Sequence, residues 1–72
     1  MRNLADVRIV LRQPQTGFYL QPSGEWTNSR ETARDFESAR AALFWAETQS
    51  LHGVELLFAF SESKYDFVTC LT

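Results

Sequence analysis

Cysteine, histidine and glycine are scarce in this chain, and each scarcity excludes something. Cys70 is the single cysteine, so no disulfide can form within the chain. With His52 the single histidine, the four soft ligands of a structural zinc site are not available. Three glycines, spread one by one, do not make a phosphate-cradling loop, which needs several between a strand and a helix. The longest uninterrupted apolar run covers 41–46, far below the ~20 residues of a membrane span. The first residues reach Asp6 before any apolar run begins, unlike a secretory leader. A reducing cytoplasmic location is the expectation.

Basic charge is also limited. Seven bases, six of them arginine, face nine acids, for a net charge of −2. Chains that neutralise phosphates carry a basic stripe, so nucleic acid is an unlikely partner by composition. What the chain does have is apolar bulk. Hydrophobic residues make up 44% of it and aromatics 14%, with six phenylalanines, which is too apolar for disorder. Each aromatic buries roughly 150–250 Å², a large share of the core that so short a chain can build. Residues 1–72 read as one small domain.

Local patterns supply the elements. Val7, Ile9 and Leu11 alternate with Arg8, Val10 and Arg12, the period of a half-buried strand. Gln13-Pro14-Gln15-Thr16-Gly17 is a turn, 17–21 a second strand, Pro22-Ser23-Gly24 another turn, and Glu25-Trp26-Thr27 a third strand. Residues 28–35 are polar and have no period, with Ala33 and Phe36 as their anchors. Ser38 can cap a helix that runs on to Leu51, with Gly53 just past its end. Ala39, Ala42, Leu43 and Ala46 form its apolar stripe. Over 54–60 a strand is apolar on both faces, as central strands are. A last strand over 65–71 puts Tyr65, Phe67, Thr69 and Leu71 on one side.

The expectation is an α+β fold of order β-β-β-α-β-β: a mixed, mainly antiparallel sheet of four to five strands with one helix on one face. A helix returning from the third strand would make the Val54 strand parallel to the Val7 strand, through a right-handed crossover. It would pack through Ala42, Leu43 and Ala46 on Val7, Ile9, Leu56 and Phe58.

Three segments, Gly17-Phe18-Tyr19-Leu20, Glu25-Trp26-Thr27 and Ala33-Arg34-Asp35-Phe36, together resemble a pattern in short bacterial and phage proteins of unknown function. There a glycine-aromatic-leucine hairpin precedes a tryptophan strand and an Ala-x-x-Phe lead-in to a helix. The resemblance covers 16–36, implies a compact α+β domain and transfers no site residue.

Catalytic, cofactor and metal residues are not assignable. His52 has no orienting partner nearby in sequence, and acid–base work needs one. Cys70 lies at the chain's end and needs an electropositive pocket to act as a nucleophile. Glu25, Glu31, Asp35 and Glu37 match no catalytic spacing and read as solvated acids. Phe18, Tyr19, Trp26 and Trp45 with Arg8, Arg12 and Arg30 could stack on bases. Core roles for Phe18 and Trp26, and a cross-strand role for Tyr19, fit the acidic balance better. The candidate surface is the sheet face away from the helix: Arg8, Val10, Arg12, Tyr19, Glu55 and Leu57, with Ala59. An apolar patch there, rimmed by arginine, would serve a protein partner or a second copy, and Glu55 could pair with one of the arginines. The function expected is a non-catalytic protein-interaction or self-associating module. The alternatives are a small enzyme with its site between subunits, and a nucleic-acid-binding module.

Overall fold

A computed structural model describes residues 7–60 and 66–70. Five strands, β1 (Arg8–Arg12), β2 (Tyr19–Leu20), β3 (Trp26–Thr27), β4 (Glu55–Ala59) and β5 (Phe67–Cys70), form one sheet in the order β3-β2-β1-β4-β5. A short 3₁₀ turn (Arg30–Thr32) and one helix, α1 (Ala39–Thr48), lie between β3 and β4. The α+β class and the order β-β-β-α-β-β are as expected from the sequence. The expected ends of the last strand, Tyr65 and Leu71, lie outside the described residues.

Turn chemistry sets the first hairpins. In the β1–β2 loop the Gly17 N–H donates to Gln13 O at 2.7 Å, and Gly17 has φ 77°, a left-handed value most residues resist. In the β2–β3 loop the Gly24 N–H donates to Gln21 O at 2.8 Å and Gly24 has φ 94°. A proline early in the turn and a left-handed glycine at its end make a tight three-residue connection.

One expectation fails in an informative way. β4 pairs with β1 antiparallel, Arg12 opposite Glu55 and Arg8 opposite Ala59, so all neighbouring strands are antiparallel and there is no parallel crossover. The reason lies in the aperiodic segment 28–36. Beyond Thr27 the chain comes back and enters the sheet plane beside β1. The Arg34 N–H donates to Leu20 O and the Phe36 N–H to Ile9 O, both at 2.8 Å. Tyr19 stands opposite Arg12, so Leu20 is level with Leu11 and the segment runs from that level toward Ile9. It occupies the edge of β1 that the two-residue β2 leaves free. The helix therefore starts at the Arg8 end of β1 and delivers the chain to the Arg12 end, where an antiparallel β4 begins.

Side chains of this pass alternate as in a strand. Ala33 joins a buried cluster with Val10, Leu57 and Ala59 on one face, while Phe36 joins Leu11, Leu20, Ala42, Ala46, Val54 and Leu56 on the other. The second face of the sheet is thus covered by the chain itself.

Capping fixes the helix ends. Ser38 Oγ accepts from the Ala41 N–H at 3.0 Å, as expected. The C-terminus falls earlier than the sequence implies. Ser50, not Gly53, takes the left-handed position past the helix, with φ 56°. The Ser50 N–H donates to Glu47 O and the Leu51 N–H to Ala46 O, the paired bonds of a Schellman end. Leu51 then packs against the core cluster of Ala46 from outside the helix. Ala42 and Ala46 are buried as expected, but Leu43 is exposed and Trp45 takes its place beside the core. Phe18, expected in the core, is exposed as well.

Candidate functional site

The six residues proposed from sequence do gather on one face, but they do not form an open surface. Val10 and Leu57 are each 1% exposed, beneath Ala33 and Tyr19. The polar members form an ionic layer over that small core. Arg12 and Glu55 face each other across β1 and β4, and the Arg12 guanidinium meets Glu55 Oε2 at 2.6 Å, the pairing expected from the sequence. Arg8 is a strap. Its Nε donates to Asp35 Oδ1 at 2.6 Å, and its two Nη donate to the carbonyls of Arg30 and Ala33 at 2.8 and 2.7 Å. Those carbonyls lie in the returning segment, so one β1 side chain fastens that segment down.

Arg30 makes the third pair. Its two Nη reach both carboxylate oxygens of Asp66 at 2.5 and 2.8 Å, a two-pronged contact that suits the guanidinium fork. One Nη also donates to Phe60 O, and Asp66 Oδ1 accepts from the Phe60 N–H at 3.0 Å. The hydrogen bonds from Arg30 hold the Asp66 carboxyl below the usual carboxylate range, against the opposing effect of burial. The same pair, assisted by Tyr19, pushes the Arg30 guanidinium upward. Arg8, Arg12 and Arg30 thus each hold a carboxylate at this face.

The open aromatic surface lies on the other side of the molecule. Phe44 points directly away from the buried Ala42–Ala46 stripe and is 66% exposed. It borders a groove of about 410 Å³ between α1 and the returning segment, lined by Arg34, Asp35, Phe36, Glu37, Ala41, Phe44 and Trp45. The volume lies within the range of ligand clefts, about 300–1,000 Å³. Phe36 and Trp45 pack at 6.1 Å between ring centroids, tilted by 58°. The Arg34 guanidinium lies over both, with Cζ 4.6 Å from the Phe36 centroid and 5.4 Å from that of Trp45, a cation–π arrangement. This surface was missed at the sequence level, although the signal was present. A helix whose stripe is Ala42 and Ala46 must turn Phe44 to solvent, because residues two apart face nearly opposite ways.

The remaining candidates carry no constellation. His52 is exposed and borders a smaller recess of about 260 Å³ with Leu43, Glu47 and Leu51. Among the described residues no three His, Cys, Asp or Glu side chains come together as a metal site would require, and no helix is long and apolar enough to cross a membrane. Glu25, Glu31 and Glu37 are exposed, and Asp35 is held by Arg8. Comparison with known proteins finds no matching family model, no similar curated protein and no similar solved structure.

Proposed function

We propose that this protein is a non-catalytic protein-binding module that works through the aromatic groove beside α1. The observation that carries the reading is Phe44. Its ring does not stand alone: it lines one groove with Trp45 and Arg34, and contiguous exposed apolar surface rimmed by polar residues is what marks interaction sites. Its neighbours fit that use. Aromatic residues and arginine are the side chains enriched where binding energy concentrates, and Arg34, Phe44 and Trp45 supply both, on the buried ring of Phe36. The rings of Phe36 and Trp45 are held by the core beneath them, so little conformational freedom is lost on binding.

The test is a selection from a random peptide library on the immobilised protein. Clones enriched on the parent should lose binding to Phe44→Ala by at least about tenfold, the scale of an interface anchor. Phe44→Ala should melt within a few degrees of the parent. Clones that bind parent and variant alike would contradict the reading, as would a selection that enriches none.

A further inference from the structure

We propose that the outer edge of β5 pairs with β5 of a second copy of this chain, antiparallel about a two-fold axis at Val68, so that the two sheets join into one. The proposal stands apart from the groove beside α1. It rests on which backbone groups the ladder turns outward. In an antiparallel ladder the N–H and C=O of one residue point to one neighbour, and those of the next residue point to the other. Ile9 O accepts from the Phe36 N–H, and in the same phase the Gln13 N–H donates to Phe18 O, so these residues turn their backbone away from β4. Val10 and Arg12 therefore bond with Leu57 and Glu55, and Leu56 and Phe58 turn theirs toward β5. The Phe60 N–H, in phase with Phe58, likewise points to the β5 side and reaches Asp66 Oδ1. Phe58 stands opposite Phe67 and Leu56 opposite Thr69, so those two β5 residues use their backbone groups on β4. Val68 and Cys70 turn theirs outward, where β5 has no neighbouring strand among the described residues. An axis at Val68 lets Val68 exchange both of its backbone bonds with Val68 of the copy, and sets Cys70 opposite Asp66 of the copy.

Natural sheets blunt a free edge with charge, proline or a bulge. Phe67-Val68-Thr69-Cys70 has neither charge nor proline, and it pairs with β4 residue for residue, without a bulge, from Phe58–Phe67 to Glu55–Cys70. Phe67 is 60% exposed and Val68 40%, one on each face of the sheet. The charges favour a second copy as the occupant. A two-fold contact brings a strand against itself, so like charges meet unless the strand is neutral. The one charge in 66–70 is that of Asp66, and Arg30 of the same chain holds it with both Nη. The side chains also match. Phe67 shares the α1 face with Phe58, their ring centroids 5.7 Å apart, and there it would stand opposite Thr69 of the copy. On the other face Val68 meets Val68, a β-branched cross-strand pair. The edge is four residues long, which places the contact among the small, reversible interfaces.

Sedimentation velocity of the full chain from about 1 µM to about 1 mM, with a reductant keeping Cys70 a thiol, tests this. The parent should pass reversibly from monomer to dimer. Val68→Pro removes an N–H that only the second copy would use; it should stay monomeric throughout and melt within a few degrees of the dilute parent. Thr69→Pro, one residue on, removes a donor to β4 and should melt far lower. Val68→Lys sets two like charges face to face across the axis and should weaken the dimer at least about tenfold. In a mixture of labelled and unlabelled parent, a nuclear Overhauser contact should join Phe67 Hα to Thr69 Hα of the second copy. A parent that remains monomeric over the whole range would overturn the proposal, as would a dimer held equally tightly by Val68→Lys. Val68→Pro as unstable as Thr69→Pro would show that the Val68 N–H points inward, and would overturn the two-fold at Val68.

Discussion

Arg30 and Asp66 show how much one pair can hold together here. Between them they bind each other twice and both backbone groups of Phe60, tying the returning segment to the end of β4 and the start of β5. Their side chains are 28% and 16% exposed, so solvent screening is partial and the interaction exceeds that of a free surface pair. Because the folded state holds the Asp66 carboxyl below its usual value, the folded protein binds a proton there less readily than the unfolded chain. The stability from this pair is therefore fully present above the unfolded value, about 3.9. It is lost as pH falls from there through the lower folded value. Asp66→Asn should destabilise by roughly 1–3 kcal/mol at neutral pH, the cost of weakening a charged hydrogen-bond set. The loss should shrink as the pH of denaturant melts is lowered below about 4. A parent and variant that keep the same difference at pH 7 and pH 3 would contradict this role.

At the scale of elements, α1 carries a flaw that is open to test. Ser50 sits at φ 56° where a side chain is strained, at the position a Schellman end usually gives to glycine. Ser50→Gly should relieve about 1–2 kcal/mol of strain and lose part of that to the greater freedom of glycine in the unfolded chain. The expected net gain is about 0.5–1 kcal/mol, which in a domain this small raises Tm by several degrees. A variant that melts below the parent would show that the Ser50 side chain contributes more than its backbone costs.

The elements themselves were largely legible because they repeat. Alternation at Ile9 and Leu11 against Arg8, Val10 and Arg12, and again at Val54, Leu56 and Phe58, gave both strands in the phase the two buried clusters show. Ser38 marked the helix start. The segment 28–36 was not legible, because what places it is not periodic. It is fastened by an arginine side chain from β1 to backbone carbonyls more than twenty residues away, and carbonyls leave no mark in a sequence. That one unread pass reversed the direction of β4 and closed the sheet face expected to be open. The helix end was misjudged for a similar reason. Gly53 advertises a left-handed residue, but the bonds of Ser50 and Leu51 end the helix before the chain reaches it.

For the whole molecule, these corrections exchange the inside for the outside. A five-stranded sheet with one helix leaves two surfaces to account for. The face away from α1 is closed by the returning segment and sealed with three arginine–carboxylate pairs, while the solvent side of α1 displays Phe44 beside a groove with an aromatic floor. The exposed Phe67 and Val68 on β5 lie on opposite faces of an edge strand and do not make a single patch. Among the described residues, the proposed binding reading therefore turns to the helix side. Thermal melting of Leu57→Lys and Phe44→Lys, measured side by side, tests this most directly. Leu57→Lys puts an unpaired charge into a site 1% exposed and should abolish cooperative melting. Phe44→Lys places a good helix former at a solvated position and should melt within a few degrees of the parent. A stable, cooperative Leu57→Lys variant, or a Phe44→Lys variant that unfolds, would contradict the account.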